Sequence, residues 1–162
     1  MTIFEMAMER EKVKEQFYRD MIPKASSTGI KNILTLLADE ENKHFHVVEA
    51  MASESSEIPA IGGDFMDSAK DFFQKFRKSG RSFEQEKEQA RLYEKAREYE
   101  EQAEDFYKTK AEEVSDEKQK EILLLLAREE HKHFILMDNL YLLASRPEQW
   151  LENAEFFKLE EY

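Results

Sequence analysis

Apolar residues recur every three or four positions along most of this chain, a spacing typical of amphipathic α-helices. Pro23 and the turn-forming stretch 26–29 end the first apolar stripe, and the pair Ser115-Asp116 offers an N-cap for the last. A short amphipathic helix is predicted at 66–78, and another around Trp150. The four long helices that the pattern predicts lie at about 2–22, 30–53, 83–114 and 117–144.

An internal repeat with an offset of 89 residues runs through these helices without a gap. Residues 4–22 laid on 93–111 match at seven of 19 positions, and residues 30–49 laid on 119–138 match at 11 of 20. Each repeat predicts a helix, a turn and a second helix, hence an antiparallel hairpin. Because neither hairpin can bury its apolar face alone, we expect the two to pack about a pseudo-twofold axis.

Two such hairpins joined by a long connection make an all-α four-helix bundle with one crossover. The chain length of 162 residues suits one domain with one core. We therefore expect a single domain over 1–162 whose parts are hairpin 1 at about 2–53, a crossover with a short helix at 54–82, hairpin 2 at about 83–144, and a C-terminal tail at 145–162.

Composition excludes several classes of protein. The 36 acidic and 24 basic residues give a formal net charge of −12, which argues against a nucleic acid or an anionic membrane as partner. The absence of cysteine excludes disulfides, zinc knuckles, iron–sulfur clusters and thiol catalysis in this sequence. The longest apolar run, 122–127, is too short to span a bilayer, and the first residues lack the apolar stretch of a signal peptide. We expect a cytoplasmic protein with no membrane partner.

The same pair of polar residues stands on the apolar stripe of both second helices of the repeat. Glu41 and His44 are three residues apart, as are Glu130 and His133. Three residues on a helix correspond to about 300° of rotation and about 4.5 Å of rise, so both side chains of a pair project from one face. Charged glutamate is almost never buried without a partner, so these positions require an explanation.

The first helix of each repeat adds one more glutamate to its apolar stripe. Glu11 lies among Phe4, Met8, Tyr18 and Ile22, and Glu100 takes the equivalent place between Tyr93 and Tyr107. Four glutamates and two histidines are thus predicted to meet in the middle of the bundle. Four carboxylates there would raise one another's pKa and destabilise the fold, whereas two divalent cations would supply four positive charges. Oxygen-rich ligation with one imidazole per metal suits iron or manganese better than zinc or copper.

One glutamate from each of two helices, with Glu-x-x-His from each of the other two, is the ligand pattern of the ferritin-like di-metal proteins. Over about 1–53 and 83–144, the chain resembles the rubrerythrin branch of that superfamily. The resemblance is carried by the pattern Glu11-x6-Tyr18…Glu41-x-x-His44 and by its repeat Glu100-x6-Tyr107…Glu130-x-x-His133. It implies a ferritin-like bundle with a non-haem di-iron centre ligated by Glu11, Glu41, His44, Glu100, Glu130 and His133.

Within that resemblance, Glu41 and Glu130 would bridge the metals, and Glu11 and Glu100 would be terminal ligands. Rubrerythrins usually add a rubredoxin-like iron–cysteine domain, which a sequence without cysteine lacks. They also carry an extra glutamate about one turn after the ligand on the third helix, where this chain has Ala103.

The function that these residues predict is that of a rubrerythrin-like oxidoreductase. Two iron ions, or manganese or a mixed pair, would react with hydrogen peroxide or dioxygen as the small-molecule substrate. Electrons would come from an external donor, for which the resemblance suggests a rubredoxin-like protein. Tyr18 and Tyr107 would each donate a phenolic hydrogen bond to a ligand carboxylate, the alternative being that they only fill the core.

Two other functions stay open at this stage: a non-catalytic iron-binding or iron-handling protein with incidental ferroxidase activity, and a metal-independent helical interaction module. The aromatic insert around Phe65 and Phe73 is expected to pack over the bundle or against a second copy in a homodimer, with a lid over the site as the alternative. His46 and His131 are interpreted as surface residues. Glu40 is expected to face solvent or a neighbouring helix.

Overall fold

The computed structural model describes residues 1–79 and 84–152, in which all regular structure is helical. Short 3₁₀ turns lie at Ile22–Lys24 and Glu84–Gln89. The predicted helix start at Phe83 and the tail from 153 to 162 fall outside the described residues. The α-helices are α1 at Ile3–Met21, α2 at Thr28–Ala52, α3 at Phe65–Ser79, α4 at Ala90–Glu113, α5 at Glu117–Ser145 and α6 at Pro147–Glu152.

Side-chain caps explain where three of the long helices begin. The Thr2 hydroxyl accepts from the Glu5 backbone N–H at 3.1 Å while the Glu5 carboxylate accepts from the Thr2 N–H at 2.8 Å, which forms a capping box at α1. Ser27 caps α2 and Asp116 caps α5, each through a side-chain oxygen that accepts one backbone N–H of the first turn. The prediction of Asp116 as an N-cap is confirmed.

The third long helix, α4, begins later than the pattern predicts. Residues 84–89 form a 3₁₀ turn, and the α-helix starts only at Ala90, after a Gln89 that makes no side-chain cap. The carboxylate of Glu86 is fully buried and accepts hydrogen bonds from the Ser26 backbone N–H at 2.6 Å and from the Tyr93 hydroxyl at 2.5 Å. These bonds hold the tighter turn against the start of α2.

The helices pair as two antiparallel hairpins, α1 with α2 and α4 with α5. Within each pair, later residues of the first helix contact earlier residues of the second helix, which shows that the two helices are antiparallel. The side-chain contacts that show this are Arg19 with Asp39 at 3.1 Å, Asn42 with Glu15 at 3.3 Å, Arg97 with Asp138 at 2.7 Å and His131 with Glu104 at 2.9 Å.

The interior of the bundle is divided into two apolar clusters. One surrounds Leu34, Leu140 and Trp150, and the other surrounds Val47 and Leu126. Between them lies a layer of buried charged side chains from α1, α2, α4 and α5. The apolar ends fix the helices in place and thereby hold this polar layer together.

Two short helices complete the packing. Phe65 and Phe73 of α3 are buried against the bundle, so the aromatic insert packs on its own chain. Trp150 of α6 is fully buried, with ring centroids 5.8 Å from Phe73 and 5.9 Å from Phe76, and its indole N–H donates to Asn139 at 3.4 Å. No described helix is long and apolar enough to cross a membrane.

Candidate metal centre

The structure brings the six predicted ligand side chains together in the polar layer. None of them is more than 1% exposed to solvent. Their donor atoms form two groups in which all atoms lie within 4.8 Å of one another, and Glu41 and Glu130 belong to both groups. The first group is Glu11, Glu41, His44 and Glu130, and the second is Glu41, Glu100, Glu130 and His133.

The two histidines reach across the bundle to the glutamates of the opposite hairpin. His44 Nδ1 lies 3.0 Å from Glu130, and His133 Nδ1 lies 2.9 Å from Glu41. The imidazole rings are stacked almost parallel, with centroids 5.5 Å apart and planes at 5°. Both rings therefore present Nδ1, and not Nε2, to the carboxylates.

The two tyrosines make a second reciprocal exchange. The Tyr18 hydroxyl donates to Glu100 at 2.5 Å, and the Tyr107 hydroxyl donates to Glu11 at 2.5 Å. Burial raises the pKa of both phenols, with a further increase from the carboxylates nearby, so both remain protonated donors. Each of these glutamates is thus oriented by the hairpin to which it does not belong.

Lys14 also lies in this cluster, although its sequence position alone did not predict this. Its side chain is only 4% exposed, and its ammonium lies 2.5 Å from Glu130, 2.9 Å from Glu41, 3.2 Å from Glu100 and 3.7 Å from Glu11. One internal cation therefore contacts all four glutamates.

The predicted apolar stripe of α1 is incomplete. Met8 and Ile22 are half-buried and pack against the two apolar clusters as predicted, but the fully buried face adds Ala7, Lys14 and Met21 to Glu11 and Tyr18. The signal that could have found Lys14 is its spacing, because it stands three residues after Glu11 on the same face. Lysine is usually interpreted as a surface residue, although its apolar stem readily lies within a core.

Charge in the cluster is unevenly distributed over the four carboxyl groups. Burial, with repulsion from the other glutamates, raises the pKa of Glu11 and Glu100 well above the usual value. Burial acts in the same direction on Glu41 and Glu130, but Lys14 and the facing histidines outweigh it and hold the pKa of both below the usual value. Glu41 and Glu130 are therefore the ionised pair.

The two cations of the cluster are stabilised by the same carboxylates. Burial acts to lower the pKa of Lys14, but the surrounding glutamates raise it well above the usual value. The pKa of His133 is also raised, because the effect of Glu41 and Glu100 outweighs that of burial. Two ionised carboxylates facing two cations leave the cluster close to electrical balance.

Several buried polar atoms of the layer have no hydrogen bond in the described structure. These atoms are Glu11 Oε2, Glu41 Oε2, Glu40 Oε2, His44 Nε2 and His133 Nε2. An unsatisfied buried group costs about 1–3 kcal/mol. Of these atoms, Glu41 Oε2 is nevertheless paired by charge, since it lies 2.9 Å from the Lys14 ammonium. The carboxylate oxygens of the cluster, with the Nδ1 atoms of His44 and His133 that face them, are a donor set that suits a divalent cation.

Glu40 is almost completely buried, so it does not face solvent. Its carboxylate forms a third close group with His44 and His133 and is paired with Lys43 at 2.9 Å. If both Nδ1 atoms hold metal, both Nε2 atoms carry hydrogen, and Glu40 is placed to accept from them directly or through water.

The insert covers this histidine side of the site. The Phe65 ring meets His133 edge-on, with centroids 5.0 Å apart. The loop before α3 approaches Glu129, whose carboxylate lies 3.3 Å from where a Cβ on Gly62 would stand. Gly62 has a φ of +91°, which favours glycine there, so the chain can pass close to this carboxylate.

Two further glutamates and the two remaining histidines lie outside the cluster. Glu15 pairs with Arg19 and Glu104 with Lys108, each at 2.7 Å on the bundle surface. His46 is about half exposed. His131 is one-third exposed, so it is less of a surface residue than expected, and it lies beside Glu104.

The buried groups of glutamate and histidine can hold metal ions, and the geometry is the basis for any statement about function. Comparisons of the chain with protein-family models, with curated proteins and with solved structures found no match.

Proposed function

We propose that this chain is a ferritin-like di-iron carboxylate protein that reduces hydrogen peroxide with electrons from an external donor. The observation that carries the proposal is the pair of four-ligand groups that share Glu41 and Glu130 at the centre of the bundle. Two buried groups with two shared carboxylates match the way in which adjacent metal ions are held in such bundles.

The ferritin-like arrangement and the internal repeat draw support from contacts that recur at the same offset of 89 residues. The hydrogen bond from Tyr18 to Glu100 corresponds to the hydrogen bond from Tyr107 to Glu11. The contact of His44 with Glu130 likewise corresponds to that of His133 with Glu41. Such reciprocal contacts are what a pseudo-twofold axis through the cluster produces.

In this proposal, Glu11 and His44 would complete one metal site, Glu100 and His133 would complete the other, and Glu41 and Glu130 would serve both. Carboxylates with one imidazole per site favour iron or manganese. Two ferrous ions, when bound, would supply one electron each, which together with two protons convert hydrogen peroxide into two water molecules.

The chain itself contributes orientation and exclusion of water. Tyr18 and Tyr107 hold the terminal carboxylates in place, and Glu40 favours the tautomer that leaves each Nδ1 free of hydrogen. Phe65 and the apolar clusters on either side keep bulk water away, which strengthens the electrostatic interactions inside.

The electron donor is proposed to be a separate protein. A sequence without cysteine contains neither a rubredoxin-type iron site nor an iron–sulfur cluster. A small redox protein such as a rubredoxin is the proposed partner because it delivers one electron at a time.

The test is a rapid-mixing experiment in which the protein is loaded anaerobically with two equivalents of Fe²⁺ and mixed with hydrogen peroxide. We expect oxidation faster than that of free Fe²⁺, followed by repeated turnover when a reductant is supplied. The matched control is the double variant Glu41→Gln, Glu130→Gln, which lacks both shared carboxylates. A single oxidation without turnover would instead indicate iron handling, and a rate equal to that of free Fe²⁺ would contradict the proposal.

A second candidate function is favoured by Lys14. An ammonium that contacts all four glutamates can compensate part of their charge without metal, as a metal-independent bundle for protein interaction would require. Dialysis against a chelator distinguishes the two: an interaction module keeps its full thermal stability, whereas a di-metal protein loses the part that metal binding contributes.

A further inference from the structure

A cavity of about 480 Å³ lies between α1 and α4, next to the glutamate cluster. Its walls include both Lys14 and Ala103, which are equivalent positions of the two repeats. Arg10, Val13 and Phe106 also line it. The stem of Lys14 therefore borders the cavity while its ammonium contacts the glutamates, so this one side chain separates the cavity from the cluster.

We propose that Lys14 is an internal competitor for divalent cations, whose ammonium occupies the metal-binding region of the metal-free protein and moves into the adjoining cavity when metal binds. The inference rests on the proposed function and goes beyond it, because it assigns to one residue the control of metal affinity.

The distances require the competition. The Lys14 ammonium lies within 3.2 Å of carboxylate oxygens of Glu41, Glu100 and Glu130, and the same three glutamates belong to the second four-ligand group. A divalent ion held by these carboxylates would lie close to the ammonium and would repel it electrostatically. The ion and the ammonium therefore cannot both occupy this region.

The cavity gives the displaced ammonium a place to go. Because the stem of Lys14 already borders the cavity, rotation about its side-chain bonds is sufficient, and the α1 backbone need not move. Glu9 also lines the cavity and offers a carboxylate to the incoming ammonium. On α4 the equivalent position is Ala103, whose methyl group leaves this space open.

Removal of the ammonium should have opposite effects on the two states of the protein. Without metal, Lys14→Met leaves the glutamates without their shared cation, and the thermal midpoint should fall by about 6 °C or more. With metal, the same variant no longer has to displace an ammonium, so Mn²⁺ should bind about tenfold more tightly or better. A lysine that merely positions the glutamates would change both quantities in the unfavourable direction.

The experiment measures the Mn²⁺ dissociation constant by isothermal titration and the thermal midpoint with and without Mn²⁺. Lys12→Met is the matched control, since Lys12 is an exposed lysine of the same helix, over the Phe45 ring at 4.8 Å, and should leave both values unchanged. Lys14→Gln, which keeps hydrogen-bonding capacity without the charge, is measured in parallel in case Lys14→Met does not fold. Ala103→Lys, which adds a second ammonium, should weaken Mn²⁺ binding.

Each outcome separates this inference from the proposed function. If the wild type binds two Mn²⁺ ions and the Lys14 variants bind them equally or less tightly, the inference is overturned while the di-metal function stands. If only the Lys14 variants bind Mn²⁺, the inference is supported and the natural chain is not a di-metal enzyme. If neither binds, both are overturned.

Discussion

Each terminal glutamate of the cluster is held by a tyrosine of the other hairpin, so its orientation depends on the two hairpins being correctly docked. The Tyr107 hydroxyl lies 2.5 Å from Glu11, and both side chains are buried. A buried carboxyl group that loses its only phenolic donor is left with an unsatisfied polar atom and the desolvation cost of burying it. In the proposed di-metal protein, these tyrosines would couple metal affinity to the packing of the whole bundle.

We expect Tyr107→Phe to lower the free energy of unfolding by about 1–3 kcal/mol and to weaken divalent-metal binding by about 10–100-fold. The physical reason is the unsatisfied Glu11 oxygen and the loss of its fixed orientation. Chemical denaturation and metal titration provide the measurements. Tyr99→Phe is the control, since the Tyr99 ring packs edge-on against Phe17, 5.3 Å away, outside the cluster. Equal effects of the two substitutions would contradict this account.

The carboxyl groups also predict how the metal-free protein responds to pH. Glu11 and Glu100 have pKa values raised above the usual 4.5, so they stay protonated in the folded state while the unfolded chain ionises, and stability falls as pH rises above about 4.5. The raised pKa of His133 adds stability that is fully present below about 6.5 and is lost as pH rises through the folded-state pKa. Glu41 and Glu130, with lowered pKa values, add stability that is present above about 4.5 and is lost only in stronger acid.

We therefore expect the thermal midpoint of the chelator-treated protein to be higher at about pH 5.5 than at about pH 8.5. Metal affinity should change in the opposite direction and increase with pH, because binding displaces protons from Glu11, Glu100 and His133. Calorimetry at the two pH values gives the first quantity and metal titration the second. A midpoint that rises towards alkaline pH would show that these groups are not protonated in the folded state.

At the scale of the helices, α6 packs against both α3 and α5 and links them. Trp150 is fully buried against Phe73 and Phe76 of α3, and its N–H reaches Asn139 of α5. An exposed six-residue helix would not be stable alone, so this one aromatic side chain accounts for its position.

We expect Trp150→Ala to lower the free energy of unfolding by about 3–5 kcal/mol, because it leaves a cavity between α3 and α5. The neighbouring exposed residue supplies the control, and Gln149→Ala should change stability by less than about 0.5 kcal/mol. Urea denaturation of both variants checks the difference. Equal stabilities would mean that α6 is not docked as described.

The helices could be predicted from the sequence to within a few residues because their signals are local. Asp116 caps α5 where the pattern indicates, and α3 extends only one residue beyond each end of its predicted range. The start of α4 could not be predicted, since the 3₁₀ turn depends on Glu86 bonding to Ser26 far away in sequence.

The residues of the candidate site also fall into those that could be predicted from the sequence and those that could not. The six ligand positions stand out because glutamate and histidine interrupt an apolar stripe at matching places. Lys14 and Glu40 do not stand out, because their burial depends on other helices: Lys14 on the facing glutamates and on the small Ala103, Glu40 on the two stacked imidazoles. Side chains that are buried only by partners from elsewhere carry little signal of their own.

For the whole molecule, the central question is how the negative charge in the bundle is balanced. The chain carries a formal net charge of −12, and four of its glutamates are buried in one layer. Without metal, Lys14 and His133 provide the balancing charge, whereas two divalent cations would add four positive charges in the same place. In the proposed function, the metal-free and the metal-bound state would balance the charge of the same glutamates in different ways.

The number of divalent ions bound per chain tests this most directly. Metal-free protein is dialysed anaerobically against excess Fe²⁺, separated from unbound ions and submitted to elemental analysis. We predict about two ions per chain in the wild type and none above background in the double variant Glu41→Gln, Glu130→Gln, because both sites lose their shared ligands. Fewer than about one ion per wild-type chain, or equal contents in wild type and variant, would contradict a di-metal centre at these residues.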